Sequence, residues 1–348
     1  MQIKKIILFI LVAIVLVAFY YSWKIFGPTI QNPEHRFLYI KTGSSYQQVK
    51  DSLNTNGFMG NYFVFDKIAK SIDYPKNIKP GKYKISNNMS MYHLLKMLRS
   101  GKQVPVNLVI TKLRTKEDLA KKIANYFETD SVTVIHFLNN NDSLLQFDVD
   151  TNTVMTDIIP NTYNYTWTTP IQTVFKKLHN ETLKFWNKDR LGKAQHLNMT
   201  PKEIYILASI VEEETNKQDD KGKIASVYIN RIRKGMKMAA DPTIKFAMKD
   251  FGLKRIYQKY LRFVSPYNTY LNSGLPPGPI CTPSIKTIDA VLDSPDTNFL
   301  FFVARADFSG YSEFATSYRE HLVYAKAYQK ALDSLIIARR SSVGDSTQ

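Results

Sequence analysis

The sequence predicts an α+β protein on a single N-terminal transmembrane helix: a small α+β module first, then a mixed α/β C-terminal domain. Three observations predict it. An uncharged apolar run fills residues 6–23, short strand-like and helix-like pieces alternate over 37–110, and well-capped helices precede a proline-rich loop at 265–283.

The N-terminal element comes first. Lys4 and Lys5 precede IILFILVAIVLVAFYYSW, and Lys24 resumes polar sequence. About 18 residues at ~1.5 Å each nearly span a ~30 Å hydrocarbon core, with flanking lysines that snorkel. The paired lysines favour a cytoplasmic N-terminus. No small-x-small cleavage site follows; Phe19, Tyr20, Tyr21 and Trp23 stand there instead and suit an interfacial belt, which predicts an uncleaved anchor. The remainder of the chain then faces the extracytoplasmic side. Its one cysteine, Cys281, permits no intramolecular disulfide and reads as a packed apolar residue.

The chain of 348 residues is 44% hydrophobic, enough for two or three domains and inconsistent with a disordered protein. Its formal net charge of +17 predicts anionic neighbours. Placement outside the cytoplasm, and the lack of a helix-turn-helix or aromatic RNA-binding signature, argue against nucleic acid and towards anionic lipid headgroups or acidic wall polymers.

In the α+β module, FLYIKTG reads as a strand, residues 46–53 as a helix start and 62–72 as an amphipathic helix. PGKYKI is a turn into a strand, Ser90 caps a helix stopped by Gly101, and VPVNLVI closes the module as a strand. Thr115 starts a further helix, TKEDLAKKIANYF. NNNDSLLQF reads as a surface turn, and residues 158–169 as either a sugar-stacking loop or a tight connection.

The C-terminal domain opens on a strong helix start, with Thr200 as cap, Pro201 at the first helical position and Glu203 placed for a capping box. Projected at ~100° per residue, Ile204, Ile206, Leu207, Ile210 and Val211 centre on one face. In the triplet that ends this helix, Glu214 lies within about 20° of that centre, Glu213 roughly 110° away and Glu212 roughly 150° away. Glu212 and Glu213 are therefore expected towards solvent or a cleft rim. A carboxyl on an apolar face must be neutralised, paired or displayed in a cleft. Desolvation raises its pKa, which is the profile of a general acid, and a structural ion pair or a frayed helix end is the alternative.

A second helix is expected over 221–237, with Arg231 on the face of Ile224, Val227 and Tyr228, placed to neutralise a carboxylate, touch substrate or form a structural pair. Asp241-Pro242-Thr243 reads most simply as another N-cap, and Asp241 is the candidate second carboxylate. The loop SPYNTYLNSGLPPGPICTP is irregular by composition and exposes amide and aromatic groups of the kind that bind carbohydrate, or else is a rigid structural loop.

Taken in order, LASIVEEET, KIASVYINRIRKGM, ADPTI, YNTY and GLPPGPICTPS resemble the endolytic murein transglycosylase family, the MltG/YceG type. The resemblance implies an anchor at 1–24, a LysM-like module at 36–112, a helical connecting region at 113–198, a catalytic domain at 199–336 and, at 337–348, what reads as a disordered tail. It implies an inner-membrane lyase that cleaves nascent peptidoglycan glycan strands, with room for peptidoglycan synthases as neighbours. The family's V-E-x-E-T pattern falls on Val211 to Thr215, and its second glutamate, Glu214, is the residue the helical wheel selects. Tyr267, Asn268, Thr269 and Tyr270 are expected as cleft wall, with Asp241, Thr243 and Arg231 as further substrate-binding candidates. Two departures stand out. Asn161 follows Pro160 where relatives often carry aspartate, and Ser312 and Glu313 precede Phe314 where relatives often carry histidine, so neither segment receives a catalytic role.

On this resemblance Glu214 protonates the oxygen between N-acetylmuramic acid and N-acetylglucosamine, then deprotonates the muramoyl 6-hydroxyl, leaving a 1,6-anhydro end. Two rivals are a muramidase pairing Glu214 with Asp241 and a non-catalytic wall-binding anchor. No cofactor is expected, and no metal, since six scattered histidines lack ligand spacing.

Overall fold

The computed structural model describes residues 2–344 except 33, 35 and 61, with side chains through 337. The chain divides into two compact units: Met1–Leu108 with Lys122–Asp130 and Tyr163–Ile171, and Val109–Lys121 with Ser131–Thr162 and Gln172–Gln348. Residues 113–198 are divided between the two units.

The first unit begins with α1, Gln2–Phe26, a helix of apolar residues with no buried position and enough length to cross a membrane. Strand β1, Phe37–Ile40, pairs antiparallel with β2, Gly81–Lys84, so that Leu38 faces Tyr83 across the ladder. Between them lie α2, Tyr46–Thr55, and α3, Phe63–Ser71; α4, Met91–Ser100, follows β2. Local chemistry sets the helix ends. Ser45 and Gln48 form a capping box on α2, His93 N donates to Ser90 Oγ on α4, and Gly101 ends α4 in the left-handed region at φ 72°. Leu38, Leu53, Phe65, Leu94, Leu95 and Leu98 meet in one core beneath this pair of strands. VPVNLVI forms β3, Val106–Val109, but pairs with β4, Thr162–Tyr165, instead of joining β1 and β2. The segment 158–169, expected as a loop, therefore contributes a strand. Helix α5, Lys116–Tyr126, starts where Thr115 Oγ1 accepts from Asp118 N.

In the second unit α6, Ser131–Leu138, leads into α7, Asn141–Leu144. NNNDSLLQF is accordingly not a surface turn. Asn140 caps α7, and Leu144 and Phe147 are buried. Helices α8, Ile171–Phe185, and α9, Lys188–His196, precede the central helix α10, Pro201–Glu214. Then come α11, Gln218–Arg233, which starts and ends a few residues earlier than the sequence predicts, α12, Asp241–Ala247, and α13, Ile285–Leu292. A β hairpin, β5 Phe301–Ala304 with β6 Ser312–Ala315, backs α11, where Phe302 meets the Tyr228 ring edge-on at 5.9 Å.

The final helix α14, Tyr318–Gly344, continues through the first part of the expected tail, while residues 345–348 lie outside the described residues. α10 is enclosed by α11, α12 and α13, and every residue from 204 to 211 is buried.

Candidate active site

The site is built at the C-terminal end of α10. Its start is as expected: Thr200 Oγ1 accepts from Glu203 N at 3.2 Å and Glu203 returns a bond to Thr200 N at 2.7 Å. The helix is thereby pinned at one end, so the phase of its last turn is fixed. Mid-helix, Ser209 binds the proline-rich loop: Ile280 N donates to Ser209 Oγ at 3.0 Å, and the buried Cys281 thiol donates to Ser209 O at 3.3 Å. Gly278 completes this seating, because a Cβ there would stand 2.1 Å from Asn152 O.

The three glutamates have three different fates. Glu212 is not on the solvent side: its carboxylate accepts from buried Lys221 at 3.0 Å, from Ser284 at 3.1 Å and from Thr287, whose own oxygen takes a 2.6 Å bond from Lys221. Glu213 is likewise enclosed. Arg114 grips both its oxygens at 3.1 and 3.0 Å, and Lys112 reaches it at 2.8 Å. Burial raises the pKa of each, but these donors outweigh it and hold both below the ordinary glutamate value. Of the two expected placements, open solvent fails, because cations from distant segments cover both carboxylates.

Glu214 has no ion pair among the described residues. Its one hydrogen bond comes from Tyr228 Oη to Oε1 at 2.5 Å. Desolvation pushes its pKa up to about 7, opposed by the Tyr228 bond and reinforced by the charge of Asp241. A carboxyl in this state holds a proton near neutral pH and can release it to a basic oxygen. Helical phase alone does not explain the selection, since α10 is buried on all sides from 204 to 211. What distinguishes Glu214 is that no cation among the described residues pairs with it.

The other expected residues divide into two groups. Asp241 is exposed and is not a cap: Ala240 holds the cap position, which leaves the Asp241 carboxylate free to accept from Tyr270 Oη at 2.6 Å. Burial, and then that bond, push the Tyr270 hydroxyl pKa upward. Tyr267 packs against Phe246 with ring centroids 4.7 Å apart, and burial raises its hydroxyl to about 12. Tyr267 and Tyr270 are both partly exposed, the state a cleft wall requires.

Asn268, Thr269 and Thr243, by contrast, are fully buried, so Asn268 and Thr269 are not wall and Thr243 is not open to substrate. Thr243 Oγ1 donates to Ala240 O at 2.6 Å and meets Thr269 Oγ1 at 2.9 Å, latching the start of α12 to the aromatic loop. Arg231 is a strut: its guanidinium donates to Leu300 O at 2.7 Å and Met238 O at 2.5 Å and lies over Phe301. Burial lowers its pKa, and its positive charge opposes the rise at Glu214 without forming a pair.

Sequence reasoning missed Tyr228 as a polar partner and counted it only as apolar. The signal was its place on one face of α11 with Arg231, three residues on. It also missed Lys112, Arg114 and Lys221, which no local pattern connects to the triplet.

Known proteins resemble this chain over most of its length. A model of the YceG-like family matches residues 38–327, and the chain belongs to that family. An endolytic murein transglycosylase of Bacillus subtilis is 26% identical over 314 residues, covering 85% of this chain and 84% of its own. A protein of the same name from Streptococcus pneumoniae is 26% identical over 303 residues, covering 76% of this chain, and the chain spans about half (53%) of that longer relative. A crystal structure of a yceG-like protein from Listeria monocytogenes superposes with a TM-score of 0.54 at 26% identity, covering 82% of this chain and 97% of its own.

Proposed function

We propose that the protein is a membrane-anchored endolytic peptidoglycan lytic transglycosylase, a lyase whose single general acid/base is Glu214. The observation that carries this reading is the unpaired, desolvated carboxyl at the end of α10, with its pKa near 7. The relatives named endolytic murein transglycosylase support the substrate class and the bond.

Glu214 donates its proton to the oxygen between N-acetylmuramic acid and N-acetylglucosamine as that bond breaks. The resulting carboxylate then takes the proton of the muramoyl 6-hydroxyl, whose oxygen closes on its own anomeric carbon and leaves a 1,6-anhydro end. The proton count balances, and Glu214 returns to its starting state. The nucleophile belongs to the substrate, so one carboxyl suffices and water must be kept from the anomeric carbon. Tyr267 and Tyr270 offer ring faces to the glycan, and Asp241, held by Tyr270, raises the proton affinity of Glu214 from a distance.

α1 is the anchor in a cell inner membrane, with a cytoplasmic N-terminus from Lys4 and Lys5. Residues 36–112 are the LysM-like module, and nascent strands beside peptidoglycan synthases are the working substrate. The test is mass spectrometry of products from uncrosslinked glycan. Anhydro ends from the wild type and no cleavage by Glu214→Gln are expected, with glycan binding retained. Reducing ends, lost in Asp241→Asn as well, would identify a muramidase instead.

A further inference from the structure

Between α12 and the aromatic loop runs FGLKRIYQKYLRFVS, residues 251–265, with four basic residues and no acidic one. Gln258–Arg262 forms a short 3-10 turn within it. Lys254, Arg255, Lys259 and Arg262 are exposed, and no carboxylate pairs with them among the described residues. Arg255 lies over the Tyr257 ring and Lys259 over the Tyr260 ring, at 5.7 and 5.0 Å. Beside these cations three apolar or aromatic side chains face outward: Tyr257 is 54% exposed, Phe263 40% and Val264 88%.

The turn is held in shape. Fully buried Asn268 donates from Nδ2 to the carbonyls of Leu261 at 3.0 Å and Phe263 at 2.8 Å, while Phe263 N closes on Tyr260 O. Asn268 therefore fixes the backbone that carries Phe263, in a segment with four exposed cations, and such a composition suits the boundary between lipid headgroups and acyl chains.

We propose that residues 254–264 dock on the surface of an anionic lipid bilayer, with Phe263 and Val264 at the acyl boundary and the four basic side chains among the phosphates. A bilayer accepts both halves of this surface at once. The carboxylates of a wall polymer match the cations, but its polar surface offers no apolar phase to outward-facing Phe263 and Val264. α1 supplies the second argument: a chain already tethered to a membrane meets that surface at high effective concentration, so a tip too weak to bind alone suffices. Each basic residue near an anionic leaflet strengthens partition by about fivefold, an effect that salt weakens. This docking is independent of the chemistry assigned to Glu214.

The test uses the full chain in lipid nanodiscs with an environment-sensitive fluorophore on V264C. Cys281 is buried and its thiol pKa is pushed up, so it stays unlabelled. In discs containing phosphatidylglycerol the label is expected to shift to the blue and be quenched by spin-labelled lipid. In phosphatidylcholine discs, or at high salt, it is expected to emit as in water. K254Q/R255Q/K259Q/R262Q on the same background should lose the difference at an unchanged unfolding temperature. Identical emission in the two lipids would overturn the proposal, as would protection that arises only on adding uncrosslinked glycan.

Discussion

Tyr228 Oη donates a 2.5 Å hydrogen bond to Glu214 Oε1 across the packed faces of α11 and α10, and no cation among the described residues shares that carboxyl. Glu213 and Glu212, one and two residues earlier, each accept from a cation at 3.0 Å or closer. The bond to Tyr228 favours the ionised form of Glu214, so it restrains the rise that desolvation produces.

Tyr228→Phe should therefore move the alkaline limb of the cleavage pH profile upward. A hydrogen bond to a charged group is worth about 1.5–3 kcal/mol, which corresponds to roughly one pH unit or more. Rates on uncrosslinked glycan across pH 5 to 9 (about one-unit steps) check this. An unmoved limb would show that Tyr228 does not set the proton affinity of Glu214.

Glu214→Gln should change how stability depends on pH. The folded pKa near 7 lies above the ordinary value of 4.5. The wild-type contribution is thus fully present below 4.5 and is lost as pH rises through 7. The amide carries no such loss. The variant should match the wild type near pH 4 and exceed it above pH 7, by on the order of 2–3 kcal/mol in urea unfolding.

Lys221→Met removes the cation beneath Glu212 and leaves a buried carboxylate with only hydroxyl donors. A loss of about 3–5 kcal/mol is expected. The double variant Lys221→Met/Glu212→Gln should recover most of it, because no charge remains to be buried. Because Glu212 and Glu213 have depressed pKa values, their contribution is present above 4.5 and is lost as pH falls through the folded values.

Gly278→Ala places a methyl group 2.1 Å from the Asn152 carbonyl oxygen. Backbone must move to admit it, at a cost of about 1–3 kcal/mol. The displaced loop also carries Ile280 and Cys281 on Ser209, so cleavage should fall together with the unfolding temperature. Thermal melts and turnover on one preparation test the coupling.

Much of the fold was legible because its signals are local. The capping box at Thr200, the cap at Ser90, the αL glycine at Gly101 and the apolar run of α1 each act within a few residues, and each stands where the sequence puts it. The errors lie where a distant segment intervenes. VPVNLVI is a strand in either reading, but only the fold supplies its partner, Thr162–Tyr165. NNNDSLLQF looks polar until Leu144 and Phe147 are buried beneath it.

The triplet of α10 marks the same division. By itself the sequence determined that the helix starts at Thr200, that it carries three consecutive carboxyls into its last turn, and that Glu214 continues the apolar stripe. It did not determine their charge states. Arg114 reaches Glu213 from 99 residues away, Thr287 reaches Glu212 from 75 residues further on, and Tyr228 reaches Glu214 from a separate helix. Helical phase gives a direction, whereas a pKa depends on which donors and charges the folded chain gathers at the end of that direction. Only the tertiary structure left one of three carboxyls without a cation among the described residues.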